Sequence, residues 1–397
     1  MKKKTDKLNF ETLAIHGASE KDQYQSLSPP IYMTSAFDFE DMDQAEGAFN
    51  FTNDHFVYSR GANPTINLFE KRMALLEFGV GAVAFASGMA AITTVIFSLI
   101  KKSGGEMIAH HTMYGSTHSA FMTLLNQFGI KTTLCDLTNL HELPNKINKN
   151  TKVIFFETPA NPSMDVIDIV KVSEMAHAHN IKVVVDNTML TPFFQNPLNL
   201  GADVVVHSAT KYLCGHGDAL GGVAVAKDPD YVASLKFEYM CELGSVLSPF
   251  NAWLFLRGMK TLSIRMKKHE ENALFILAEL QKFPHVQKIF HPSLPTQPGY
   301  EIAKTQMSGM GGVISFELDG AVENTKKFIA ALSLARLAVS FGDAETLIQV
   351  PYWMTHRSYT DSLGESRFSA KTIRISVGLE DPLDILSDIE QAMLVAY

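Results

Sequence analysis

Three observations predict an α/β protein with a large, mostly parallel sheet wrapped by helices and a smaller C-terminal α/β domain. Short β-branched runs recur from Ala82 to Val225 with helix-like segments between them, the alternation expected of parallel strands joined by crossover helices. Two of these runs, Lys182–Asp186 (KVVVD) and Val204–Val206, lead straight into polar, chemically capable residues, and the carboxyl ends of strands are where open α/β sheets bind ligands. A second alternation of strand and helix follows a long helical segment that starts at Pro249.

In chain order, residues 1 to about 60 sustain neither the strand nor the helix period and include Pro29 and Pro30, so they read as an irregular arm. Leu68, Met73, Leu75 and Leu76 predict a helix over 67–78, followed by a strand over 82–86 and, after Ser87-Gly88, a helix to about Ile100. Further strands are predicted near Met107 and over 132–134, 153–156, 183–185, 204–206 and 223–225, with a helix over 166–178. A single long helix is predicted from Pro249 to about Lys282, with Leu254, Leu256, Met259, Leu262 and Met266 on its apolar face. Beyond it, strands over 286–290, 313–318, 337–339 and 373–377 alternate with helices over 322–332 and 383–394. The domain boundaries expected are an arm over 1–60, a ligand-binding domain over 61–250 and a C-terminal domain over 251–397.

Composition narrows the function. The 397 residues carry 34 basic and 42 acidic side chains, a net charge of -8, so nucleic acid is not an expected partner. Cys135, Cys214 and Cys241 are odd in number, far apart and outside any CxxC pair, which argues against a disulfide framework or a thiolate metal site and for a reducing, cytoplasmic location. The fourteen histidines contain no HExxH, and His207 and His216 read as hydrogen-bonding or packing residues, so no metal is expected. Phe78 to Ile100 holds no charged residue, but Gly79, Gly81 and Ser87-Gly88 divide it into turn, strand, turn and helix, and no membrane span is expected. Gly79, Gly81 and Ala84 fit a G-x-G-x-x-A dinucleotide pattern, yet they precede a strand instead of following one.

The chemistry gathers after Val206. His207, Ser208, Thr210, Lys211 and Tyr212 follow the strand and run into Gly215, Gly217, Gly221 and Gly222, a loop whose backbone can approach a ligand closely. Asp186 ends the companion run. A lysine to bond an aldehyde and a carboxylate to pair with a pyridinium nitrogen are the protein groups that pyridoxal 5'-phosphate (PLP) needs. Ser208 and Thr210 add hydroxyls for a phosphate, and the helix start at Gly88 and Met89 adds free backbone N–H groups.

The segments YSRGANPT from Tyr58, ASGMAAI from Ala86, YGST from Tyr114, ETPANP from Glu157, VVVDNT from Val183, HSATKY from His207, GDAETLI from Gly342 and TIRISVGLED from Thr372 resemble, in order and spacing, the trans-sulfuration or Cys/Met-metabolism family of PLP enzymes. Within it the methionine γ-lyase group is the most similar. The resemblance implies a fold-type I PLP enzyme and a carbon–sulfur lyase performing γ-elimination on methionine or homocysteine. It also implies a homo-oligomer, a tetramer built from two dimers with shared active sites. It places Tyr58 and Arg60 at the phosphate of a neighbouring subunit, Tyr114 on the PLP ring and as a proton donor, Asn161 on the ring's phenolic oxygen, and Ser340 and Arg374, at the ends of expected strands, on the substrate carboxylate. The same residues serve cystathionine γ- or β-lyases, O-acylhomoserine sulfhydrylases and cystathionine γ-synthase-type replacement. Ser116 stands where methionine γ-lyases usually carry a cysteine, Met240 and Cys241 where they carry Lys-Asp, and Tyr352 and Trp353 where small residues are usual; the two aromatics are expected to narrow the entrance.

Overall fold

The structure is a computed structural model that describes residues 8–100, 104–356 and 369–397. A seven-stranded sheet has the order β1-β7-β6-β5-β4-β2-β3. Its strands are β1 (Gly81–Phe85), β2 (Glu106–His110), β3 (Lys131–Cys135), β4 (Thr151–Glu157), β5 (Lys182–Asp186), β6 (Val204–Ser208) and β7 (Gly222–Ala226). Neighbours from β6 through β3 run parallel, and β7 runs antiparallel to both β6 and β1. The sheet is covered on both faces, as parallel sheets require. Along β5 and β6, Val183, Val185 and Val205 enter one core while Val184, Val204 and Val206 enter the other, so these unbroken apolar runs feed two cores through the two-residue period of a strand. No helix among the described residues is long and apolar enough to cross a membrane; the uncharged stretch after Phe78 is β1 and the helix Gly88–Leu99.

The second sheet is five-stranded, in the order β10-β11-β12-β9-β8, with β8 (Val286–Phe290), β9 (Val313–Leu318), β10 (Arg336–Leu337), β11 (Leu347–Gln349) and β12 (Thr372–Ser376). Ile314, Phe316, Ile348, Ile373 and Ile375 pack there against Phe328, Ile385 and Ile389 from the helices Val322–Ala331 and Pro382–Ala396.

Four expectations need correction. The arm is not wholly irregular: it holds helices Phe10–His16 and Met42–Phe49, the second capped by Asp41, whose side chain accepts from Gln44 N. These short helices take their stability from docking, with Leu13 and Ala14 buried in the large core. The helix expected over 166–178 begins only at Ile169, because Asp168 caps it by accepting from Lys171 N. The single helix from Pro249 is two, Pro249–Met259 and Leu262–Leu280. Arg265 of the second donates to Gly258 O at the end of the first, and to Tyr212 O beside Lys211, so one guanidinium satisfies a helix-end carbonyl and braces the Lys211 loop. Finally, β10 spans only two residues and β11 carries the pairing with β12.

Candidate active site

Three neighbouring parallel strands end in polar side chains at one edge of the large sheet: β4 in Glu157, β5 in Asp186 and β6 in Ser208. Glu157 lies level with Asp186 in the register of β4 and β5. Thr188 holds Asp186 by donating its N–H and hydroxyl to Oδ1, and its own oxygen accepts from Ser208 N at 2.9 Å. Burial pushes the Asp186 carboxyl above its ordinary range, against the pull of the Thr188 bonds.

Ser208 faces the start of the helix Gly88–Leu99. A Cβ on Gly88 would lie 2.8 Å from Ser208 Cβ, so glycine there lets the strand end and helix start meet. Ser87 caps the helix by accepting from Ala90 N at 3.1 Å, and the N–H groups of Gly88 and Met89 have no acceptor within their own helix. Thr117 donates to Met89 Sδ at 3.6 Å, which brings the Tyr114–Thr117 turn to the same corner. The Thr210 hydroxyl pairs with the backbone of Gly221, accepting from its N–H at 3.1 Å and lying 3.3 Å from its carbonyl oxygen, and so closes the loop around Lys211.

Lys211 Nζ donates to Ser340 Oγ at 2.9 Å and lies 5.3 Å from the Phe341 ring centroid. Burial, then the nearby Arg374 charge, lower its pKa to about 8, with Asp343 acting in the opposite sense. Gly342 has φ +80, and a Cβ there would strike Tyr212 N at 2.8 Å; only a glycine lets the Ser340–Gly342 segment lie on the lysine loop. Arg374 sits in the middle of β12, paired with Ser315 and Gln349, and Ser340 lies beyond β10, so neither is at the end of the strand expected for it. The Arg374 guanidinium is buried, donates to Asn161 Oδ1 at 3.1 Å and to Ser340 O, and lies 5.4 Å from the Phe341 ring.

Glu157 completes the cluster. Its carboxylate accepts from Tyr114 N and, at 3.3 Å, from Asn161 N. Behind the edge, Glu77 accepts from His207 Nε2 at 2.7 Å and from Asn187 Nδ2 at 3.0 Å, all three fully buried; His207 is thus a hydrogen-bonding residue.

Lys211, Asp186, Ser208, Thr210, Gly88, Met89, Tyr114, Asn161, Ser340 and Arg374 therefore converge at the junction of the two sheets. Tyr58 and Arg60 do not join them through their hydrogen bonds. Arg60 is exposed and donates to Cys241 O at 3.1 Å and Sγ at 3.4 Å, with Glu242 at 4.0 Å and the Tyr58 ring 5.9 Å away. Ser116 is exposed and Met240 is buried. Sequence reasoning assigned no role to Glu157, Phe341 or Glu77. Glu157 could have been flagged as an acid topping a β-branched strand, as Asp186 was; Phe341 and Glu77 carry no local signal.

The profile of the Cys/Met metabolism PLP-dependent enzyme family matches residues 11–394. An L-methionine gamma-lyase from Treponema denticola is 43% identical over 396 residues, covering 99% of this chain and 98% of that protein. A cystathionine gamma-lyase from Bacillus subtilis is 40% identical over 385 residues, covering 96% and 98%. A solved structure of a putative O-acetylhomoserine (thiol)-lyase from Campylobacter jejuni, bearing N'-pyridoxyl-lysine-5'-monophosphate, superposes with a TM-score of 0.94 at 33% identity, covering 98% of this chain and 100% of that one.

Proposed function

The chain belongs to the Cys/Met metabolism family of PLP-dependent enzymes, and from that premise we propose that it is a carbon–sulfur lyase that eliminates the γ-sulfur substituent of methionine or homocysteine and, with one water consumed, leaves a 2-oxo acid, ammonia and methanethiol or hydrogen sulfide. The observation that carries this reading is the single edge on which a half-buried lysine amine, a half-buried carboxyl, a helix N-terminus and a buried guanidinium meet. These residues fit the cofactor: donors for a phosphate, an amine for an aldehyde and an acceptor for a ring N–H are present in one cluster. When bound, PLP supplies an aldehyde carbon that captures the substrate amine and a pyridinium ring that withdraws electrons from Cα.

The chain's own groups do the rest. The backbone N–H groups of Gly88 and Met89 and the hydroxyls of Ser208 and Thr210 bind the phosphate. Asp186 accepts from the ring nitrogen. Asn161 uses its carboxamide oxygen on Arg374, which leaves its Nδ2 for the phenolic oxygen. Arg374, beside Ser340, grips the substrate α-carboxylate with a fork already oriented by Asn161 and Ser340. Lys211 holds the cofactor, and once released its amine takes the Cα proton; a pKa near 8 keeps a useful neutral fraction at physiological pH. Loss of a second proton, from Cβ, supplies the electron pair that expels the γ-sulfur, and Tyr114, held at its backbone by Glu157, protonates the departing sulfur.

The exposed pair Tyr58 and Arg60 supports a homo-oligomer in which each copy lends these residues to a neighbour's phosphate, built as a tetramer from two dimers. The domain division at 60 and 250 and a cytoplasmic location, suited to three free thiols, complete the reading. The test is 2-oxo acid release from methionine, homocysteine, cystathionine, cysteine and O-acetylhomoserine. Release from methionine and homocysteine is expected; activity confined to O-acetylhomoserine plus a thiol would replace the lyase by a replacement enzyme.

A further inference from the structure

Glu157 occupies a position that the chemistry above leaves without an assignment. It is 5% exposed and ends β4 level with Asp186. Its Oε1 accepts from Tyr114 N and its Oε2 from Asn161 N, and Asn161 passes the connection to Arg374, whose second arm reaches Ser340 O; Ser340 Oγ in turn accepts from Lys211 Nζ. One hydrogen-bonded path thus joins Tyr114, Asn161, Arg374, Ser340 and Lys211, drawn from both sheets, and Glu157 links the Tyr114 turn to it.

The choice of a carboxylate is costly, because a charge is buried without a cation bonded to it. It is also specific: two backbone N–H groups from different segments need two acceptor oxygens, and a glutamine would turn its own donor against one of them.

We propose that Glu157 is the positioning residue that holds Tyr114 and the Asn161–Arg374 pair in one frame around Lys211, and that the frame needs both of its oxygens as acceptors. The inference rests on the lyase reading for the roles of Tyr114 and Arg374. A carboxyl keeps acceptor lone pairs on both oxygens in either protonation state, whereas the nitrogen of a glutamine amide cannot accept. The charged groups that act on Glu157 are Asp186 from β5 and Arg374 from β12. Burial first, then the Asp186 charge, raise its pKa to about 8, opposed by the bonds from Tyr114 and Asn161 and by Arg374.

The test compares wild type with Glu157→Gln and Glu157→Asp. Glycine, which has an α-carboxylate and no leaving group, reports on Arg374 through the change it causes in cofactor absorption. Its Kd should rise about tenfold in Glu157→Gln, the size of one displaced charge-assisted hydrogen bond, while kcat for methionine falls roughly a hundredfold as the proton donor is displaced. Glu157→Asp keeps the charge but is a methylene short, so it should lose one bond and fall between the two. If Glu157→Gln does not fold, Glu157→Asp alone must show the glycine shift.

The cofactor-free proteins give a second readout. A carboxyl whose folded pKa lies above its unfolded value adds stability that is complete below the unfolded pKa and lost as pH rises through the folded one. The Tm of wild type minus that of the neutral variant, Gln or Leu, whichever folds, should therefore fall between about pH 4.5 and about pH 8 and then level off. Glycine affinity and kcat within twofold of wild type in folded variants that keep the cofactor absorption would overturn the proposal. Absence of that absorption in wild type would instead sink the lyase reading.

Discussion

The Lys211 edge and the Tyr58–Arg60 segment are both read as parts of one active site, yet they are built in opposite ways. At the edge Arg374 is buried, Lys211 and Asp186 are half-buried, and all three are already bonded within the chain: Lys211 to Ser340, Asp186 to Thr188, Arg374 to Asn161 and Ser340. On the segment Tyr58 and Arg60 are exposed, and the guanidinium rests on a backbone carbonyl, a sulfur atom and a 4.0 Å contact with Glu242, partners that offer it little in water. A preorganised group can act on a ligand without first being rearranged. An exposed arginine on weak partners is instead available to an anion brought by another surface. The edge is assembled within one chain; the segment leaves its guanidinium on weak, solvent-exposed partners.

The largest effect should come from removing the centre of the edge. Lys211→Ala should abolish turnover and the absorption of the lysine-bound cofactor, with circular dichroism unchanged, since Lys211 is on a loop and outside both cores. Turnover retained in that variant would break the comparison by showing that the edge is not the reaction centre.

Arg60→Ala should act more mildly, weakening cofactor retention by about tenfold to a hundredfold through loss of charge-assisted bonds to a phosphate. Its particular signature is complementation. When Arg60→Ala and Lys211→Ala chains are unfolded together and refolded, each mixed pair should hold one site with both wild-type residues. Random pairing then returns roughly a quarter of wild-type activity. No activity above that of the separate variants would mean that Arg60 serves its own chain, and the contrast between the two regions would dissolve.

The same contrast explains what could be read from sequence. β4, β5 and β6 were legible because their β-branched runs feed two cores and leave no choice of secondary structure, and their ends located Asp186, Ser208 and Lys211. Phe341 was not legible: it lies under Lys211 and Arg374 because Gly342 lets the segment cross the lysine loop, a long-range contact that no local pattern encodes. Glu77 closes a helix whose apolar period says nothing of His207 and Asn187 beneath it. The break after Met259 was hidden because apolar spacing continues across it, while its cause is the reach of Arg265 to Gly258 O and Tyr212 O.

The smallest effects should lie at the periphery, where substrate choice is set. Tyr352 and Trp353 meet edge to face with centroids 4.9 Å apart, and the Trp353 indole N–H donates to Ala370 O at 3.2 Å with Lys326 Nζ 6.0 Å from its ring. Trp353 is thus tied to its own domain and 45% exposed, while Tyr352 is the less exposed of the two. Of the two aromatics expected to narrow the entrance, Tyr352 should therefore matter more. Apolar contacts discriminate between substrates by only about 1–3 kcal/mol. Wild type should use methionine and homocysteine with kcat/KM values within about a hundredfold of each other and cystathionine less well. Tyr352→Ala should raise kcat/KM for cystathionine by up to about tenfold, and Trp353→Ala by less, because Trp353 is the more exposed ring and is bonded to Ala370. Measuring kcat/KM for methionine and cystathionine in the three proteins decides this. A strong wild-type preference for cystathionine would move the chain to the cystathionine lyases, with the Lys211 edge unchanged and only the periphery reread.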